Sequence, residues 1–170
     1  MKKLLIIAIF AALAFGGELE FKTLESDFSQ SVSSKKESIR YSGHFIANAR
    51  RGAFWHYKKP VEKFIYFNYG RVTVVEPNLE QAVLTDLKNS PNITSILADA
   101  RKVGADKYEA EFDGVVYTIR TRKSVPVQIN YVDKLENKVV ITLSNTRKDE
   151  PINEGLLEPN IPENYDVLSN

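Results

Sequence analysis

The sequence predicts a mainly β protein with some helix, built around a curled antiparallel sheet. About eight short runs alternate apolar and polar residues, the pattern of strands with one covered face and one wet face. Only two segments have helical spacing, and one of them is short. Because two helices cannot cover so many inward side chains, the sheet must curl, with the helices plugging it. A packed sandwich or barrel without a cavity is the alternative.

The chain begins with MKKLLIIAIFAALAFG, which is typical of a cleaved secretory signal peptide over residues 1–16. Two lysines precede an apolar run, and a small-x-small site ends at Ala14, so cleavage is expected after Ala14 or Gly16. A retained anchor helix is the alternative, although the run is too short and wrongly flanked to span a membrane. Residues 17–170 are then expected to form a single exported domain.

Composition excludes several classes of protein. The absence of cysteine excludes disulfides, thiolate metal sites, a cysteine nucleophile and a lipid-modified N-terminal cysteine. Once the two lysines of the signal peptide are removed, 21 basic residues face 22 acidic ones. Nucleic acid is therefore not an expected partner, because such binding needs concentrated positive charge.

The first element after the signal peptide is predicted to be an amphipathic helix over about Glu18 to Val32. In ELEFKTLESDFSQSV, Leu24, Phe28 and Val32 recur at helical spacing, with acidic residues early in the segment. A second, short helix is predicted in SPNITSILADAR, with Ser90 or Asn92 as its cap.

The remaining segments are predicted to be strands. Residues 39–47 alternate, and GAFWHYKKPVEKFIYFNYG contains two short strands around Pro60 with adjacent aromatic residues on both faces. Residues 71–76 follow the hairpin signal NYG. The C-terminal half forms a meander with a DG turn and an irregular, proline-marked final crossing. Its alternating apolar positions are Tyr108, Ala110, Phe112, Val115, Tyr117, Ile119, Val127, Ile129, Tyr131, Val139, Ile141 and Leu143, and its polar positions include Thr118, Arg120, Gln128, Asn130 and Thr142.

Four segments carry a resemblance to a known family. FSQSV, SGHFIANARRGAFWHYKKP, GRVTVVEPNLEQAVL and GLLEPNIPENYDVL together resemble the LolA-type periplasmic carriers of outer-membrane lipoproteins. That family has an N-terminal helix ending near Phe-x-Gln, a Gly-x-Phe strand, a Phe/Trp-rich strand closing on Pro, and a strand leading to Pro-x-Leu-x-Gln. The matching residues are Phe28 and Gln30, Gly43 and Phe45, Trp55 and Pro60, and Pro77, Leu79 and Gln81.

The resemblance implies a half-closed antiparallel barrel, capped by the N-terminal helix and short plug helices around an apolar cavity. The cavity would receive acyl chains of lipoproteins from an inner-membrane ABC-type exporter and carry them across the periplasm, to a possible outer-membrane acceptor. No cofactor is implied, and a monomer is expected. The residues expected to line the cavity are Phe45, Ala47, Trp55, Tyr57, Phe64, Tyr66, Ile129, Tyr131 and Ile141, with Trp55 as plain core the alternative.

Two arginines are candidates for control of a lid. The family usually carries an arginine six residues before the position of Trp55, which holds a helical lid closed. Ungapped matching places Ala49 there, with Arg50 and Arg51 just beyond. A one-residue bulge would let Arg50 take that role, and a solvated edge is the alternative for both arginines.

Other functions have less support in the sequence. His44 and His56 are the only histidines, and without cysteine or a matched carboxylate motif they do not indicate a metal site. Neither histidine lies in a nucleophile or acid-base pattern, so an enzyme is not expected. The alternatives are a lipid- or lipoprotein-sensing binding module on the same fold and a periplasmic hydrolase with a lipid substrate.

Overall fold

The structure is a computed structural model that describes Leu19 and residues 21–68, 70–86 and 100–169. Within these ranges the chain forms twelve strands of one sheet. The strands are β1 (Thr23–Ser33), β2 (Ser38–Asn48), β3 (Gly52–Lys59), β4 (Lys63–Asn68), β5 (Arg71–Glu76), β6 (Gln81–Asp86), β7 (Arg101–Gly104), β8 (Lys107–Phe112), β9 (Val115–Arg122), β10 (Val125–Val132), β11 (Lys138–Lys148) and β12 (Asp166–Ser169). Their order across the sheet is β12-β6-β5-β4-β3-β2-β1-β11-β10-β9-β8-β7.

Strand β1 joins two antiparallel meanders into one sheet. It pairs antiparallel with β2 on one side and with β11 on the other. The predicted antiparallel meander is therefore confirmed, and the exception is β12, which pairs parallel with β6. The predicted turn at Asp113 and Gly114 is also confirmed, because both residues have positive φ, 51° and 76°.

The predicted N-terminal helix is wrong, because residues 23–33 form β1. Leu24, Phe28 and Val32 are four apart, and an even spacing places residues on one face of a strand as well as on one face of a helix. Ser26 and Gln30, which lie between them, are buried too. Burial of every second residue is the pattern of a strand and not of a helix. Pairing along both edges outweighs the helical pattern of a serine-rich segment that has little helix propensity of its own.

Two predictions fall on parts of the chain that the structure does not describe. The signal peptide lies outside the described residues, and so does most of the second predicted helix, within 87–99. No helix among the described residues is long and apolar enough to cross a membrane.

The sheet curls strongly. Strands β3 and β10 are four positions apart in the sheet order, which would separate them by about 19 Å if the sheet were flat. Burial, and then the nearby phenol of Tyr57 on β3, nevertheless raise the pKa of Tyr131 on β10. Both side chains belong to one buried cluster on the inside of the curl.

The inside of the curl, called here the concave face, is a continuous buried surface from β5 to β8. Its side chains alternate with outward ones along each strand, as the pleat requires. The concave face consists of Leu24, Phe28, Phe45, Ala47, Ala53, Trp55, Tyr57, Ile65, Phe67, Val72, Val74, Tyr108, Val115, Ile119, Ile129, Tyr131, Val139, Ile141 and Leu143, together with Leu19 and Phe21.

A second apolar cluster covers the outer, convex face of β2 to β6. Residues 151–165 cross this face as an irregular segment with one short 3-10 helix, Glu154–Leu157. Leu157 is 1% exposed and belongs to a cluster that also contains Ile46, Phe54, Tyr66, Val75 and Ala82. The irregular C-terminal crossing is thus confirmed, and it explains why β3 and β4 carry aromatic residues on both faces.

The other half of the sheet has a wet outer face, as predicted. Arg120 and Thr142 are exposed, and Thr118, Gln128 and Asn130 are half-buried. The outer face of this half is therefore mixed, because Val116 and Val132 are exposed there together with these polar residues.

Candidate functional site

Four aromatic side chains from three adjacent strands form the centre of the concave face. Trp55 pairs with Phe45 across β2 and β3, and their rings stack with centroids 4.9 Å apart. Phe28 of β1 meets Trp55 edge to face at 4.8 Å and Tyr57 at 4.9 Å. These contacts use the offset and T-shaped geometries that aromatic rings favour.

Gly43 makes this arrangement possible. It lies on β2 between Phe28 on β1 and Tyr57 on β3, so the rings of the outer two strands meet above a residue without a side chain. A Cβ atom at Gly43 would lie 1.9 Å from the carbonyl oxygen of His56. A register shift between Ser42 and Gly43 accompanies this close approach.

The aliphatic part of the concave face lies on β10 and β11. Ile129 pairs with Ile141, which in turn pairs with Gln30 of β1, so the three form one row across the sheet. The ring of Tyr131 lies 4.9 Å from that of Tyr117. The structure thus brings seven of the nine proposed cavity residues onto one face: Phe45, Ala47, Trp55, Tyr57, Ile129, Tyr131 and Ile141.

The other two proposed cavity residues, Phe64 and Tyr66, lie on the convex face. Both contact the ring of Phe54, and Tyr66 belongs to the cluster around Leu157. The structure therefore does not place them with the other seven. Ile65 and Phe67 take the concave positions on β4 instead, paired with Trp55 and Ala53.

Polar groups are buried within the concave face. The Tyr57 hydroxyl donates a hydrogen bond to Gln30 Oε1 at 2.8 Å, and Gln30 is 0% exposed. Burial raises the pKa of Tyr57, and Tyr41 raises it further. At the rim, the ammonium group of Lys63 lies 4.8 Å from the ring centroid of Tyr57, and burial lowers the pKa of Lys63.

The two candidate arginines occupy the turn between β2 and β3. Arg50 is exposed. Arg51 forms ion pairs with Glu154 at 2.8 Å and Glu158 at 3.0 Å. Both acidic residues belong to the segment that crosses the convex face, so Arg51 ties that segment to the β2–β3 turn.

His44 lies in a polar network at the outer surface of β1 and β2. Its ring nitrogens contact Asp27 at 2.8 Å and Glu25 at 2.9 Å. Hydrogen bonds from Asn145 and His44 lower the pKa of Asp27. Across the described ranges, no group of three or more His, Asp or Glu residues is placed to hold a metal ion.

Comparison with solved structures shows the same fold in other proteins. An uncharacterized conserved protein from Thermus thermophilus has a TM-score of 0.57 at 11% identity, covering 88% of this chain and 91% of that one. A LolA-superfamily protein from Nitrosomonas europaea has a TM-score of 0.51 at 9% identity, with coverages of 88% and 94%. The curled sheet therefore has the same fold as these two proteins.

Comparison of sequences identifies the family. The family model "Outer membrane lipoprotein carrier protein LolA" matches residues 20–110. A curated relative from Campylobacter jejuni, named outer-membrane lipoprotein carrier protein, is 40% identical over 98% of both chains. Relatives of the same name from Helicobacter hepaticus and Wolinella succinogenes are 33% and 31% identical, covering 83% and 85% of this chain and 79% and 86% of theirs. The chain belongs to the LolA family of outer-membrane lipoprotein carrier proteins.

Proposed function

We propose that this chain carries lipoproteins from the inner to the outer membrane by holding their acyl chains against the concave face. The observation that carries the proposal is the continuous buried apolar surface from β5 to β8. The family supports it, because its members are carrier proteins rather than enzymes. The proposed contact residues are the concave seven: Phe45, Ala47, Trp55, Tyr57, Ile129, Tyr131 and Ile141.

The carrier must release its cargo, and this constrains the site. A chain of about 16 carbons would gain on the order of 12 kcal/mol if it were fully removed from water, which is too much for ready release. In the structure the concave side chains already contact one another. Entering acyl chains must separate those contacts, so the lost packing offsets part of the gain and reclosure favours release.

The proposed route gives the chain two partners. LolA-family carriers are periplasmic, and the signal-peptide sequence suits export to that compartment. There the protein would act as a monomeric chaperone, receiving lipoproteins from an inner-membrane ABC-type exporter and delivering them to an outer-membrane acceptor. Cell fractionation and light scattering test the compartment and the monomer.

Mass spectrometry of ligands that co-purify after mild extraction tests the function. We expect acylated lipoprotein in a stoichiometric complex with the protein. Free lipid in place of lipoprotein would contradict the carrier role and favour a lipid-sensing module. Hydrolysed acyl products would contradict it in favour of a lipid hydrolase.

We further propose that Arg51 rather than Arg50 controls opening of the site. Arg51 links the β2–β3 turn, whose strands carry Phe45 and Trp55, to the C-terminal segment. Arg51→Leu should lower the free energy of unfolding by no more than about 1 kcal/mol, because both ion pairs are partly exposed. It should slow lipoprotein release at least twofold, because the open state is then favoured. Release from loaded carrier to acceptor membranes measures this effect.

Arg50→Leu is the matched control for this prediction. Arg50 is exposed, so we expect its release rate to match the parent's. If Arg51→Leu and Arg50→Leu both release lipoprotein as fast as the parent, both arginines are surface residues with no part in opening. Slower release from Arg50→Leu alone would mean that Arg50, rather than Arg51, controls opening of the site.

A further inference from the structure

The concave face contains polar atoms that its apolar surroundings do not satisfy. Gln30 is 0% exposed and Tyr131 is 7% exposed. Gln30 uses its carbonyl oxygen to accept the hydrogen bond from Tyr57. Its amide nitrogen and the hydroxyl of Tyr131 have no hydrogen-bond partner in the part of the chain that the structure describes. Buried polar groups without partners are uncommon because each costs folding free energy.

The two unsatisfied groups face the same interior. Gln30 lies in the middle of β1 with Tyr41 and Ile141 as its paired neighbours. Tyr131 lies two strands away on β10, and it belongs to the same buried cluster of the concave face as Tyr57, the partner of Gln30. Burial, then Tyr57 and Tyr117, raise the pKa of Tyr131, so its hydroxyl keeps its proton and can donate.

The chemistry of the two groups defines what they can bind. Both offer neutral N–H or O–H donors in an apolar wall, so the complementary ligand is an uncharged acceptor. A carboxylate or phosphate would have to lose its hydration in this wall, at a cost that neutral donors do not offset well. An ester or amide carbonyl accepts hydrogen bonds and is joined to an apolar chain. It therefore suits both the donors and their surroundings.

We propose that Gln30 and Tyr131 form a carbonyl-binding site in the concave face, which takes the ester or amide group of an acyl chain. This inference rests on the proposed carrier function and adds a polar anchor to it. The anchor would fix how deeply an acyl chain enters and would let the site distinguish acyl chains from plain alkyl chains. Tyr57 positions Gln30 by holding its carbonyl oxygen, which leaves the amide N–H groups free for the ligand.

Paired lipids that differ only at the carbonyl test the site. A dipalmitoyl ester of glycerol and the matching dihexadecyl ether would each displace a fluorescent fatty-acyl probe from the protein. We expect the parent to bind the ester about tenfold more tightly than the ether, because one or two hydrogen bonds to the carbonyl provide an affinity gain of about that size. Tyr131→Phe should reduce that preference to about threefold or less.

Three variants separate this role from a structural one. Tyr131→Phe removes only an oxygen that has no hydrogen-bond partner among the described residues, so its thermal stability should equal or exceed the parent's. Gln30→Met should also lose the preference, but it deprives Tyr57 of its acceptor and is expected to be less stable. Tyr117→Phe, next to Tyr131, is the control and should keep the full preference.

The infrared stretch of a carbon-13 carbonyl in the bound ester gives a direct second readout. It should lie at lower frequency in the parent than in Tyr131→Phe, because a hydrogen bond weakens the C=O bond. Equal affinity of the parent for ester and ether, or an unchanged preference in Tyr131→Phe, would overturn the carbonyl site while leaving the carrier function intact. If the parent bound neither the ester nor the ether, both the carbonyl site and the carrier function would be overturned.

Discussion

Replacing Gly43 with alanine is expected to destabilise the protein strongly. The new Cβ atom would lie 1.9 Å from the His56 carbonyl oxygen and 2.9 Å from the ring of Phe28. Strand β2 is held between β1 and β3, so it cannot move away without breaking hydrogen bonds on the other side. We expect a loss of about 3 kcal/mol or more in the free energy of unfolding.

Gly104→Ala is the matched control for this substitution. Gly104 is also a strand glycine, but its Cβ atom would meet Lys107 at 3.5 Å, an ordinary van der Waals contact. Its unfolding free energy should stay within about 1 kcal/mol of the parent's. Chemical denaturation of both variants measures the difference. Equal stabilities would mean that β2 and β3 are not as close at Gly43 as the structure places them.

The strands of the C-terminal half were predictable because their patterns leave one choice of structure. In the run from Gln128 to Tyr131, for example, polar and apolar residues alternate, and a strand with one wet face is the regular element that fits. The pattern of the segment that forms β1 allowed two choices, a helix or a strand. Its spacing of four satisfies a helix and a strand equally, and the pairing partners that decide between them, β2 and β11, are distant in sequence.

The faces of β3 and β4 were not predictable from their own residues. Phe64, Ile65, Tyr66 and Phe67 are all apolar, so alternation cannot choose which pair faces the concave side. The choice depends on the C-terminal segment, which covers the convex face through Leu157. That segment is irregular and rich in proline, so its sequence shows no periodicity that points to a buried partner.

Replacing Trp55 with alanine is expected to reduce both stability and acyl binding. Trp55 is 2% exposed and packs against Phe28 and Phe45. Losing such a side chain from a packed interior costs about 3–5 kcal/mol of unfolding free energy. The same ring is a proposed contact for acyl chains, so we expect binding of a fluorescent fatty-acyl probe to weaken at least tenfold, or about 1.4 kcal/mol.

Phe54→Ala separates the two effects, because Phe54 is the adjacent residue on β3 and faces the opposite way. It is 6% exposed and belongs to the convex cluster with Tyr66 and Leu157. Its loss should lower stability by a similar amount, about 3–5 kcal/mol, and leave probe affinity within about twofold of the parent's. Both variants are compared by thermal melts, and by probe titration at a temperature where each remains folded. Equal weakening of probe binding in the two variants would contradict the assignment of acyl chains to the concave face. Unchanged binding in Trp55→Ala would make this tryptophan a purely structural residue.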